Sequence, residues 1–120
     1  MYKIVFYETR RGDYPTKDFI QELDKKARAK IWRHLDLLAK EGPNLLRPYA
    51  DHVRGKIKEL RIKTGAGNIR IFYFFFIERT IILLHAFKKK TQKLPENEIG
   101  HAERNMTDCV SRYEQGEFEL

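Results

Sequence analysis

The chain has 120 residues, 42% apolar, 12% aromatic and 34% charged, which suits one compact domain over 1–120 and is not the composition of a disordered chain. Its single cysteine, Cys109, excludes an internal disulfide; with no secretion signal and no apolar run longer than residues 71–77, a soluble cytoplasmic protein and no membrane segment are expected. Net charge is +7, and residues 54–93 alone hold eleven Lys or Arg against two acids, so a polyanion is the expected partner, with simple solubility the plainer alternative.

Residues 2–8, YKIVFYE, are rich in β-branched and aromatic side chains and run into the turn RRGDYP, which predicts a first strand. Thr16 is the expected N-cap of a short amphipathic helix carrying Phe19, Ile20 and Leu23. A second helix follows, with Ala27, Ile31, Leu35 and Leu38 three or four residues apart, and Lys26, Lys30, Arg33 and Lys40 on its other face. Gly42 and Pro43 end it, while Trp32 and His34 lie beside the apolar stripe and are expected to pack.

Residues 43–55 read as a loop. Three strand-like runs come next, 56–63, 68–77 and 80–87, joined by turns short enough for antiparallel hairpins. Alternation puts Leu60 and Ile62 on one face of the first run and Glu59, Arg61 and Lys63 on the other; in the second run Arg70 points with Phe72, Phe74 and Phe76. That run is almost continuously apolar, as in a central strand covered on both faces, so Arg70 must meet an acid inside the fold or emerge at a cleft. A last helix starts near Pro95, striped by Ile99, Ala102, Met106, Val110 and Tyr113, and an acidic tail, 114–120, is expected either to fray or to bind a partner. The order β-α-α-β-β-β-α defines an α+β domain, an antiparallel sheet with helices against one side.

No paired metal-ligand spacing, P-loop, dinucleotide fingerprint or serine elbow occurs, so neither a metal nor a cofactor is expected. What the sequence offers is cationic: Arg61, Lys63, Arg70, Lys88, Lys89 and Lys90 lie on, or just past, strands expected to be neighbours. Such a cluster can grip phosphate, arginine through bidentate hydrogen bonds and lysine as a point charge. It can also cut RNA without a metal. A base must take the proton of the ribose 2′-OH, cations must stabilise the charge at phosphorus, and an acid must protonate the leaving 5′ oxygen. Lysines crowded by other cations lose a proton more readily and can take part. Composition alone supports phosphate binding better than catalysis.

The stretch from Lys58 to Asn105 resembles the C-terminal two-thirds of HigB-type toxins in the RelE-like superfamily. The pieces that carry the resemblance are Glu59-Leu60-Arg61, Arg70-Ile71-Phe72-Tyr73, Leu83-Leu84-His85-Ala86-Phe87, Lys88-Lys89-Lys90-Thr91-Gln92-Lys93, and Pro95 with Glu98-Ile99. It implies a RelE-like fold and a small toxin of a type II toxin–antitoxin pair that cuts mRNA in the ribosomal A site without a metal. It also implies a HigA-type helix-turn-helix antitoxin, with operator DNA reached only through that partner. Arg61, Arg70 and Lys89 or Lys90 match the catalytic positions, and Lys63, Lys88 and Lys93, in the same basic segment, are the expected RNA-binding residues.

Two other classes stay open: a non-catalytic RNA- or DNA-binding module, or an inactive toxin kept only as an antitoxin and repressor partner. His85, on a strand with Ile81 and Leu83, is expected as a hydrogen-bonded sheet histidine. Tyr73 is expected to pack, and Arg104 to form a surface salt bridge. For Arg61 and Arg70 the plainer alternative is an internal ion pair.

Overall fold

The computed structural model describes residues 1–118 and 120. β1 (Lys3–Phe6) leads into α1 (Pro15–Gln21) and α2 (Lys25–Glu41), followed by β2 (Ala50–Arg54), β3 (Ile57–Thr64), β4 (Gly67–Phe75), β5 (Thr80–Lys89) and α3 (Glu96–Glu114). The strands form one sheet in the order β1-β5-β4-β3-β2, antiparallel except that β1 lies parallel to β5. This is the expected α+β architecture, consistent with a RelE-like fold, with one strand more than the sequence announced. β2 falls within the stretch expected as a loop. Its five residues, ADHVR, carry too little apolar pattern to reveal a strand; pairing of Ala50 with Leu60 and Asp51 with Glu59 makes it one.

Local chemistry sets the helix ends. α1 begins at Pro15 rather than after a Thr16 cap, because proline's fixed φ suits a first helical position; Thr16 lies inside the helix, buried. Asp24 caps α2 by accepting from the Ala27 N–H at 2.8 Å. At the other end Gly42 has φ 56°, and a Cβ there would stand 2.3 Å from the Tyr2 ring, so only glycine fits.

Helices cover both faces of the sheet, not one. α1 and α2 press Ile20, Ile31, Leu35 and Leu38 onto Leu60, Ile62, Ile69, Ile71 and Tyr73. On the opposite face α3 presses Ile99, Ala102 and Cys109 onto Phe72, Phe74, Ile82 and Leu84. β4 is the reason: both its faces carry large aromatic side chains, and burying each ring contributes roughly 2 kcal/mol, so neither face can be left in water. The Cys109 thiol, pushed up to about 11 by burial, is inert.

In the β4–β5 pairing Phe72 faces His85 while Tyr73 faces Leu83, so Leu84 is an extra residue. That bulge carries His85 to the α3 face, away from the α1–α2 side where Ile81 and Leu83 lie. The acidic tail is held rather than frayed at its described residues: Glu117 pairs with Arg10 at 3.1 Å and Phe118 packs edge-on against Tyr113. Glu119 lies outside the described residues. Among the described residues no helix is long and apolar enough to cross a membrane.

Candidate functional site

β3, β4 and β5 set their basic residues in register. Arg61 stands opposite Arg70, which stands opposite Phe87; two residues along, Lys63, Asn68 and Lys89 form the next row, and on the other side Glu59, Phe72 and His85 form another. Cross-strand partners share a face, so Arg61, Lys63, Arg70 and Lys89 all belong to the α3 side of the sheet. β2 stops pairing at Leu60, and beyond it only the Arg61 N–H reaches the Tyr49 carbonyl, at 2.8 Å. The sheet therefore opens at this edge. A cleft forms there, lined by Arg61, Lys63 and Arg70, by Pro48 and Tyr49 ahead of β2, and by Lys30 and His34 of α2.

Arg70 meets an acid inside the fold and also borders the cleft. It is only 7% exposed, and its Nε stands 2.9 Å from Oε1 of the buried Glu59. The contact is charge to charge, without the alignment of a hydrogen bond: among the described residues neither atom has an aligned partner. Burial pushes the Glu59 carboxyl up and the Arg70 guanidinium down, and each charge resists the other's shift. Arg61 is different. Neither it nor Lys30 or Lys63 has a carboxylate within salt-bridge distance among the described residues. The nearby Asp51 is already engaged by Arg47 at 2.6 Å.

The lysine trio does not converge. Successive strand residues alternate, so Lys88, opposite Ile69, belongs to the α1–α2 side, with its stem 3.1 Å from where a Cβ on Gly67 would sit. Lys89 shares the arginine face, but its Nζ donates to the Thr91 carbonyl and to that of Gln92 at 2.8 Å, tying down the turn that follows β5. Lys90 and Lys93 lie exposed past the strand. The residues expected as one site are thus split. Arg61, Lys63 and Arg70 border one cleft, Lys89 lies in the adjacent row, and Lys88, Lys90 and Lys93 stand apart from it.

His34, expected only to pack, and Tyr49 belong to the cleft as well. The His34 ring is half-buried, edge-on to Tyr49 with centroids 6.1 Å apart, and its Nδ1 lies 2.9 Å from the Lys30 carbonyl. A carbonyl only accepts, so Nδ1 carries the hydrogen, and in the neutral ring Nε2 has a free lone pair. The only sequence signal was a histidine at the polar flank of the α2 stripe; nothing local connects residue 34 with 49, 61 or 70.

The remaining candidates are structural. Tyr73 is fully buried on the α1–α2 side, where burial drives its phenol far above the usual range, and it packs as expected. His85 hydrogen-bonds Glu98 at 2.7 Å and stacks on His101 with ring centroids 4.4 Å apart. Arg104 does not make the surface salt bridge expected of it among the described residues.

Residues 18–107 match the family described as phage-derived protein Gp49-like (DUF891), and the chain belongs to that family. Gp49-like proteins are a RelE/HigB-like toxin family of toxin–antitoxin systems, which implies an antitoxin partner. Among curated proteins none matches the chain.

Proposed function

We propose that this chain is the HigB-type toxin of a type II pair. It is a ribosome-dependent endoribonuclease that cuts mRNA without a metal or other cofactor and is silenced by a HigA-type helix-turn-helix antitoxin. The observation that carries this reading is the cross-strand pair Arg61–Arg70 at a cleft whose other cations, Lys30 and Lys63, have no acidic partner among the described residues, in a member of a toxin family. Unmatched cations in a concave site select a polyanion, and guanidinium forks suit a phosphodiester. Arg61 holds the scissile phosphate and stabilises the charge building on its oxygens, with Arg70 adding charge from beneath. Lys89, in the row next to the cleft, delivers the proton to the leaving 5′ oxygen. Lys63, Lys88 and Lys93 hold flanking phosphates, and the ribosome positions the codon.

The test is expression from a tightly controlled promoter, with growth followed alongside primer extension on a translated message. Growth arrest with cuts at codon positions is expected, abolished by Arg61→Ala and relieved by a co-expressed helix-turn-helix partner. Cuts on untranslated RNA would remove the ribosome from the mechanism. RNA binding without cuts would favour a non-catalytic binding module.

A further inference from the structure

We infer that His34 is the general base of this cleft, its Nε2 taking the proton of the ribose 2′-OH; the inference rests on the nuclease function proposed above. The composition of the cleft leads to it. Lys30, Arg61, Lys63 and Arg70 are cations that only donate, Pro48 has no titratable group, and the Tyr49 phenol is a donor near neutral pH. Among the described residues no carboxylate lines the cleft. His34 is the one lining group whose side chain, as a class, both accepts and releases a proton near neutrality.

Its geometry is also that of a positioned base. The Lys30 carbonyl, one helical turn back, holds the Nδ1–H at 2.9 Å and thereby assigns the lone pair to Nε2, while the edge of Tyr49 steadies the ring. The charged and titratable groups that face it come from four elements: Lys30 on α2, Tyr49 ahead of β2, Arg61 and Lys63 on β3, and Arg70 on β4. His34 thus supplies the proton acceptor that Arg61 and Arg70 cannot.

In the step so defined the 2′ O–H bond breaks and its proton moves to Nε2. The freed electron pair forms the bond from the 2′ oxygen to phosphorus, and the bond from phosphorus to the 5′ oxygen breaks. The 5′ oxygen takes a proton from the ammonium of Lys89. The products are a 2′,3′-cyclic phosphate and a 5′-hydroxyl, and the proton on His34 returns through water to the lysine.

Two variants separate a base from a packing residue. In His34→Asn the amide N–H can still donate to the Lys30 carbonyl while nothing replaces Nε2; His34→Ala leaves room for added imidazole. Cleavage of message bound to programmed ribosomes would be followed under single-turnover conditions between about pH 5.5 and 9. The wild-type rate should fall on the acid side, and His34→Asn should lose roughly 100-fold or more together with that acid limb, its unfolding midpoint unchanged. Imidazole should restore His34→Ala in proportion to its concentration. Cleavage by both variants within about threefold of wild type, or a loss with the pH profile intact and no imidazole rescue, overturns the assignment. If Arg61→Ala abolishes cutting and His34→Asn does not, the nuclease stands and this base falls; if the wild type makes no cuts, both fall.

Discussion

Arg112 and Arg61 are both drawn partly out of water, and the protein treats them in opposite ways. Arg112, only 8% exposed, lies 3.0 Å from Asp108 and donates to the Glu8 carbonyl; Asp108 also accepts the Tyr7 hydroxyl at 2.6 Å and sits 3.4 Å from Arg10. Every charge there has a partner, and the cluster ties the end of α3 to the segment after β1. Around Arg61 the cleft's Lys30 and Lys63, like Arg61 itself, have no carboxylate within salt-bridge distance among the described residues. Matched charge builds architecture. Unmatched charge gathered in one place lowers stability by self-repulsion, and the natural explanation for its retention is a ligand that completes the match. Arg70 lies between the two regimes, paired with Glu59 yet bordering the cleft.

The sharpest way to break this contrast is Glu59→Ala. It strands the Arg70 charge in a buried setting, so urea unfolding should report a loss of roughly 3–5 kcal/mol, whereas replacing both members together with Leu and Met should recover most of it. A small loss in the single variant would mean Arg70 is already satisfied by the cleft. Arg61→Ala should behave inversely. Cleavage should drop about 100-fold or more, close to 3 kcal/mol of barrier, while the unfolding midpoint barely moves.

Asp108→Ala belongs to the matched region. It should cost about 1–3 kcal/mol of stability and leave cutting of the message intact, the reverse of Arg61→Ala. Burial alone would push the Asp108 carboxyl up, but the Tyr7 hydroxyl and the Arg112 guanidinium outweigh it and hold the group below the usual carboxylate range. A carboxyl depressed on folding stabilises above its unfolded value and loses that contribution as pH falls, so wild type and variant should converge in stability below about pH 4.

The smallest effect concerns His101. Burial, with His85 and Arg104 alongside and Glu98 opposing, holds its imidazole below the usual range. Stability should therefore decline as pH falls below about 6.5, the unfolded value, and His101→Gln should flatten that decline by less than about 1 kcal/mol. An unchanged slope in a pH series of melts would show that the His85–His101 stack does not titrate with folding.

Much of the architecture was legible in short windows of sequence. The stripe Ala27, Ile31, Leu35, Leu38 and the Gly42 stop define α2, the short turns between the runs 56–63, 68–77 and 80–87 define hairpins, and alternation puts Glu59 with Arg61 on one face of β3 and Arg70 with Phe72 and Phe74 on one face of β4. Even the choice facing Arg70, buried acid or open cleft, followed from an arginine in an apolar strand. These features come from side-chain periodicity and turn chemistry, which a few consecutive residues express by themselves.

Tertiary structure alone decided the rest. β2 exists because β3 offers it an edge, the bulge at Leu84 sends His85 to the other face, and the same alternation that aligns Arg61 with Arg70 separates Lys88 from Lys89. His34, Tyr49, Arg61 and Arg70 become neighbours only when α2 packs beside the open edge of β3. Contacts between residues so far apart in the chain depend on which surfaces meet during packing, and no local pattern of side chains encodes that meeting.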